Sequence, residues 1–120
     1  MNRARTEAQG RRAERWAAWY LRLMGWRILA RRLRIGHGRG VGEVDLVARR
    51  GCTVIFVEVK WRRSAAAWDQ AIDARRLARV ARAAHALLAR FAGPRDTARI
   101  DVILLAPWRW PRHITHVWQD

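Results

Sequence analysis

Two short segments of the chain carry the residues best suited to chemistry. The first, "GEVDLVA" at residues 42–48, contains Glu43 and Asp45, and the second, "VIFVEVK" at residues 54–60, contains Glu58 and Lys60. Lys60 is the only lysine among 25 basic residues. A planar guanidinium that is always charged cannot replace a compact ammonium whose proton affinity can be adjusted. This exception indicates that Lys60 has a chemical role.

The two segments have the pattern of a β-hairpin. Both alternate polar and apolar residues, and "RRGCT" between them supplies a turn glycine. In the register that we predict, Asp45 lies opposite Glu58 and Glu43 lies opposite Lys60. The four charged side chains then share one face. The other face is wholly apolar and consists of Val44, Leu46, Ala48, Ile55, Val57 and Val59.

Two carboxylates on neighbouring strands can contact the same cation. Opposed Cβ atoms lie about 4.5–5.5 Å apart, and Mg²⁺ accepts one or two carboxylates together with waters and substrate phosphates. We therefore expect Asp45 and Glu58 to hold Mg²⁺ or Mn²⁺. Lys60 would support an attacking water or stabilise the charge that develops on phosphate. The alternative is a solvated sheet face on which Lys60 and nearby arginines offset the repulsion between the two acids.

The rest of the pattern predicts an α/β protein of αβββαβ order with a central mixed sheet flanked by helices. Residues 1–9 are predicted to be a flexible basic arm, and residues 10–120 a single domain. Trp16 and Trp26 are expected in the core. The predicted elements around the hairpin are a helix from about Gly10 to Gly25, an edge strand at 26–35, a long helix from Asp69 or Asp73 to Phe91, a strand at 98–106 and a short last strand at 113–118.

The hairpin motif also resembles a known family. G-E-x-D-L-x-A followed by F-V-E-V-K-x-R is similar to the YraN-like family of small bacterial proteins, which is assigned to the restriction-endonuclease-like superfamily with its PD-(D/E)-x-K motif and is similar to Holliday-junction resolvases. The resemblance implies a restriction-endonuclease-like core and a metal-dependent DNA endonuclease. It makes Asp45, Glu58 and Lys60 the motif residues, Glu14 a further metal ligand, and Arg62 the arginine that follows the lysine. A superfamily scaffold can also bind without turnover, so a nucleic-acid-binding protein with a vestigial site is the alternative.

The charge of the chain favours a polyanionic partner. The net charge is +15, which makes DNA the leading partner, with an anionic membrane or simple solubility as alternatives. An all-positive outer face is predicted on the long helix, from Arg75, Arg79 and Arg82. A second basic segment precedes the hairpin and consists of Arg31, Arg32, Arg34 and Arg39. No base-reading module is evident, so branched or structured DNA is the expected substrate.

The remaining sequence features indicate the cellular location more than the function. Cys52 is the only cysteine, so no intrachain disulfide is possible. The sequence lacks a signal-peptide pattern, and the cytoplasm is the expected location. Trp108 and Trp110 in "PWRWP" could stack on unpaired bases or form a lid or dimer contact. Cutting two strands as a resolvase does would require two sites and therefore a homodimer.

Overall fold

A computed structural model describes residues 3–36 and 38–118 of the chain; the side chains of residues 3–8 and of Arg39 lie outside the described part. The helices and strands follow the predicted αβββαβ order. They are α1 (Arg3–Leu23), β1 (Arg27–Ile35), β2 (Gly42–Arg50), β3 (Thr53–Trp61), α2 (Ala74–Phe91), β4 (Thr97–Leu105) and β5 (Arg112–Ile114), with 3₁₀ turns at Gly38–Gly40 and Ala65–Gln70.

Helix α1 ends where the sequence predicts and begins earlier. Gly25 has a φ of 92°, and the amides of Gly25 and Trp26 donate to the carbonyls of Arg22 and Leu21. This is a Schellman motif, which favours glycine because of the left-handed conformation. The helix begins at Arg3 rather than near Gly10, so it runs through the segment predicted to be an arm.

The five strands form one mixed sheet in the order β1-β2-β3-β4-β5. Three neighbouring pairs are antiparallel, while β3 and β4 run parallel. A parallel pair needs a crossover connection, and α2 supplies it. Asp73 caps α2, since its side chain accepts a hydrogen bond from the Arg75 amide at 2.8 Å. Strand β3, which carries Glu58 and Lys60, therefore has a neighbour on each side, and the predicted edge position of β1 is confirmed.

The sheet packs on one helix at each face. The α2 layer contains Val47, Phe56, Val80 and Val102, and the α1 layer contains Leu46, Ile55, Val57 and Ile103. Val44 belongs to the α2 layer, so its predicted place beside Leu46 is wrong. Strict alternation along β2 fails at the intervening Asp45.

Of the two tryptophans that were predicted to lie in the core, only one is buried. Trp26 is buried, whereas Trp16 is exposed, so the prediction for Trp16 is wrong. The small residues Ala17 and Ala18 are fully buried and face the sheet, which leaves Trp16 turned towards solvent. No helix in the described part of the chain is long and apolar enough to cross a membrane.

Helix α2 comes very close to the start of β2. A Cβ atom added to Gly42 would lie 2.7 Å from the Ala83 amide nitrogen. The missing side chain therefore allows the backbone of the helix to touch the strand. The middle of α2 therefore packs directly against the start of β2.

Candidate active site

Asp45 lies where β2 and β3 separate. Strands β2 and β3 pair in the predicted register from Arg50–Thr53 to Leu46–Val57. The hydrogen-bonded ladder between them ends at Leu46–Val57. The Asp45 side chain then bridges the two strands, because its Oδ2 accepts a hydrogen bond from the Val59 amide at 2.8 Å. The carboxylate thus satisfies a backbone donor that the ladder leaves free.

The three predicted metal ligands and Lys60 line one cavity, whereas Glu43 does not. The cavity has a volume of about 340 Å³. Its wall includes Glu14 from α1, Asp45 from β2, Glu58 and Lys60 from β3, and Arg62 and Arg76. Three elements therefore deliver the predicted site residues to the same space.

Glu58 is the most buried charged group of this cavity. It is 2% exposed, and its Oε1 accepts hydrogen bonds from Nε and Nη2 of Arg76 at 3.2 and 3.1 Å. Lys60 Nζ lies 3.5 Å from the same oxygen. The second oxygen, Oε2, is buried without a hydrogen-bond partner. A buried carboxylate oxygen without a partner is costly, which points to a ligand at this position.

Arg76 is a site residue that the sequence reasoning missed. Its Nη1 also donates to Glu43 Oε2 at 2.7 Å, so one guanidinium joins both acids. At about 3.6 residues per turn, Arg76 falls on the same side of α2 as Val80 and Leu87, both of which are buried. An arginine within the apolar stripe was the available signal, since a buried cation needs an anionic partner.

Burial weakens the acidity of the two carboxyl groups of Asp45 and Glu58. Burial and the charge of Asp45 raise the pKa of Glu58 to about 7, although Arg76 and Lys60 oppose this shift. Burial likewise raises the pKa of Asp45 above its ordinary value, against the Val59 hydrogen bond and the charge of Arg76. Both groups therefore gain by an added positive charge.

Glu14 lines the cavity, and its carboxylate is hydrogen-bonded to Arg32. Nε of Arg32 donates to both oxygens, at 2.9 and 2.7 Å. Burial raises the pKa of Glu14, the Arg32 hydrogen bond lowers it, and the charge of Asp45 raises it further. Arg32 has a φ of 52°, which is uncommon for a residue with a side chain.

The two carboxylates of Asp45 and Glu58 meet the minimum that Mg²⁺ requires, since this ion uses one or two carboxylates and completes its shell with water and phosphate. The unpartnered Oε2 of Glu58 fits such an ion. Among the described side chains (residues 9–36, 38 and 40–118), no group of three or more His, Cys, Asp or Glu residues is placed to hold a metal. A metal at this site would therefore depend on ligands from solvent or substrate.

The predicted DNA-binding arginines have different surroundings. Arg31 and Arg75 are exposed, and Arg39 lies outside the described side chains. The others have partners. Arg32 binds Glu14, as described above. Arg34 lies 3.6 Å from Glu43 Oε1, Arg79 lies 3.9 Å from Glu43 Oε2, and Arg82 donates to the Val41 carbonyl at 3.1 Å. Arg62 contacts the Trp61 carbonyl. The basic surface is thus partly neutralised near Glu43.

A second buried acid, Asp101 on β4, was also missed. It is fully buried and accepts hydrogen bonds from Arg99 Nε at 3.0 Å and the His116 amide at 3.1 Å, with His113 Nε2 at 2.7 Å. Burial raises the pKa of Asp101, but these hydrogen bonds outweigh it and lower the pKa overall. Asp101 attaches the C-terminal segment to the sheet. The isolated "RID" in the sequence gives little sign of this role.

The fold and the cavity define a class: a small α/β protein with a buried carboxylate and lysine site on the central strand of a mixed sheet. Residues 13–105 match the model of the uncharacterised protein family UPF0102, and the chain belongs to this family. The match confirms the YraN-like resemblance at the level of the family.

Bacterial relatives match the chain over nearly its whole length. A UPF0102 protein of Sphingopyxis alaskensis is 66% identical over 119 residues, which cover 99% of each chain. A UPF0102 protein of Rhizorhabdus wittichii is 55% identical over 97% of this chain and 95% of its own. A third, from Erythrobacter litoralis, is 52% identical over 99% of each. The region that the family model matches includes Glu14, Asp45, Glu58 and Lys60.

Proposed function

We propose that this protein is a cytoplasmic, metal-dependent DNA endonuclease of the restriction-endonuclease-like type, which hydrolyses phosphodiester bonds in branched or structured DNA. The observation that carries the proposal is the cavity in which Asp45, Glu58 and Lys60 meet, with one oxygen of Glu58 buried and unpartnered. Two acids and an amine in one pocket suit phosphoryl chemistry better than structural support, because the charges are costly to bury.

Each residue has a distinct part in this proposal. Asp45 and Glu58 would hold Mg²⁺ or Mn²⁺, which supplies a Lewis acid for the scissile phosphate. The Lys60 ammonium, 3.5 Å from Glu58 Oε1, can orient a water molecule or stabilise the negative charge of the transition state. Arg76 holds Glu58 in place through the same oxygen. Cutting both strands of a junction would require two copies of the chain.

A specific observation favours a second function, nucleic-acid binding without turnover. Arg76 and Lys60 both contact Glu58 Oε1, and they already compensate part of its charge. Because the protein's own cations already offset the negative charge of Glu58, the site has less need of a metal ion. In this alternative, the cavity is structural and the exposed arginines bind phosphate groups.

The two functions are separated by a cleavage assay with matched variants. Labelled four-way junction, flap, single-stranded and duplex DNA are incubated with the protein and Mg²⁺, Mn²⁺ or a chelator. Asp45→Asn and Lys60→Met test the site, and Asp69→Asn, at an exposed position, is the control. The endonuclease proposal expects metal-dependent cutting that both site variants lose and the control keeps. Binding without cutting in either metal would support the alternative and refute the enzyme.

A further inference from the structure

The solvent face of α1 carries an exposed group of aromatic side chains. Trp16 is 61% exposed and Trp19 is 48% exposed, and Trp110 from the segment before β5 is 58% exposed. The ring centroids of Trp16 and Trp19 lie 5.8 Å apart, and those of Trp19 and Trp110 lie 6.3 Å apart. These three residues are called the tryptophan cluster below. Large apolar side chains grouped in solvent indicate a binding surface.

Two arginines lie beside the tryptophan cluster. A cleft of about 550 Å³ is lined by Arg12, Arg15, Trp16 and Trp19. All four lining residues are cationic or aromatic, and the cleft has no acidic lining residue in the described part of the chain. A partner therefore has to offer flat rings and negative charge together. Unpaired nucleic-acid bases with their phosphates have this combination, since bases stack on aromatic rings while arginines contact the backbone.

The cleft connects with the candidate active site through shared residues. Arg15 also lines a neighbouring cavity of about 390 Å³, together with Arg11, Glu14, Arg31 and Arg32. Glu14 in turn lines the cavity of Asp45, Glu58 and Lys60. Three adjoining spaces therefore run from the carboxylates to the tryptophan cluster, and arginine side chains line the middle one.

The helix geometry arranges this path in a simple order. At about 3.6 residues per turn, Glu14, Arg11, Arg15 and Trp19 follow one another around the circumference of α1. Glu14 lies beside the buried face, and Trp19 lies on the side farthest from the sheet. Because a helix with its side chains is about 10–12 Å across, a strand of only a few nucleotides is long enough to follow the path.

We propose that the tryptophan cluster stacks unpaired bases of a DNA strand whose phosphates follow Arg15 and Arg11 towards the carboxylate cavity. This rests on the proposed function and names its substrate class: DNA with a single-stranded segment next to the bond that is cut. A blunt duplex keeps its bases paired and stacked inside the helix, so few base faces are free to stack on the tryptophan cluster. Trp108, which is fully exposed and makes no ring contact among the described residues, lies outside the cluster.

The test measures binding apart from cleavage. Fluorescence anisotropy in chelator compares labelled oligo-dT, a blunt duplex, and a fork with unpaired arms. Replacing a stacking aromatic residue by alanine costs about 1–3 kcal/mol per base, so Trp16→Ala and Trp19→Ala should each weaken oligo-dT binding about 5- to 150-fold. Blunt-duplex affinity should change little. Trp108→Ala, another exposed tryptophan, should leave all three affinities unchanged.

Further variants separate ring stacking from apolar contact. Trp19→Phe keeps an aromatic face and should retain most of the oligo-dT affinity, whereas Trp19→Leu keeps an apolar surface and should bind as weakly as Trp19→Ala. Arg15→Gln should weaken binding of oligo-dT and of the fork and reduce the salt dependence of both. Circular dichroism checks that each variant is folded, which their exposed positions favour.

Three results would overturn the proposal: oligo-dT binding that is absent in the wild type, tryptophan variants that weaken blunt duplex as much as oligo-dT, or a Trp19→Leu variant that binds oligo-dT like the wild type. A concentration-dependent dimer that Trp19→Ala abolishes, with unchanged oligo-dT binding, would assign the surface to a second copy instead. Cleavage is scored separately on the fork. If no cutting occurs and the stacking pattern is intact, the enzyme proposal is refuted and base stacking by the tryptophan cluster is supported.

Discussion

The buried carboxyl group of Glu58 predicts an unusual dependence of stability on pH. Burial and the neighbouring Asp45 raise its pKa from 4.5 to about 7. The folded protein therefore holds the proton more tightly than the unfolded chain does. Between these two values the folded state binds more protons, so the free energy of unfolding falls as pH rises and the loss is complete above about pH 7.

The magnitude follows from the size of the shift. Each unit of pKa difference corresponds to about 1.4 kcal/mol, so Glu58 would contribute a loss of about 3 kcal/mol across this interval. Asp45 interacts strongly with Glu58, and the measured protonation belongs to the pair. Glu58→Gln removes the titrating group, keeps the shape of the side chain and relieves the repulsion on Asp45. Its free energy of unfolding should therefore decline much less.

The assay is urea unfolding in chelator from about pH 4.5 to about pH 8, followed by tryptophan fluorescence and circular dichroism. The difference between Glu58→Gln and the wild type should grow by about 3 kcal/mol in favour of the variant as pH rises. Asp69→Asn, a neutralised exposed carboxylate, should follow the wild type. Parallel curves for Glu58→Gln and the wild type would refute the argument that burial controls this group.

Three further predictions use other features of the molecule. Mg²⁺ should raise the urea midpoint of wild-type unfolding more at pH 8 than at pH 6, because the carboxylates that bind it must lose their protons. Glu58→Gln should abolish this increase. Equal increases at both pH values would contradict the assignment of Glu58 as a metal ligand. Gly42→Ala should destabilise the protein by roughly 1–3 kcal/mol in urea unfolding, because the added methyl group overpacks against Ala83. In the same assay, Gly10→Ala should stabilise the protein by about 0.5–1 kcal/mol, because Gly10 lies in a helix with open space around it. The logarithm of DNA affinity should fall with the logarithm of salt concentration with a slope near −5 if about six phosphates are neutralised; titrations that show no salt dependence would exclude phosphate contacts by the exposed arginines.

The sequence predicted the hairpin well because its alternation leaves few choices. A slip of one residue would turn Leu46 and Val57 to the wrong face, and the observed pair Val47–Phe56 is the predicted one. The same rule failed for Val44, which lies beyond the last β2–β3 pair, Leu46–Val57, and packs in the α2 layer. Periodicity describes a regular strand and cannot locate the residue at which two strands separate.

Long-range ion pairs were beyond sequence reasoning for a different reason. The partners of Glu58 and Glu14 are Arg76 and Arg32, each 18 residues away. In a chain with 25 basic residues, composition cannot select the arginine that reaches a particular acid. Position within the apolar stripe of α2 could have selected Arg76. The left-handed backbone of Arg32 leaves no mark in the sequence.

The single lysine in the cavity has a practical consequence. Reductive methylation with ¹³C-formaldehyde modifies primary amines, retains their charge and does not react in this way with guanidinium groups. Apart from a terminal amine, Lys60 is the one side chain in this protein open to such labelling, and it is 18% exposed. The molecule thus offers one side-chain methyl reporter, located in the cavity that Asp45 and Glu58 line, and its NMR resonance can be followed as ions or oligonucleotides are added.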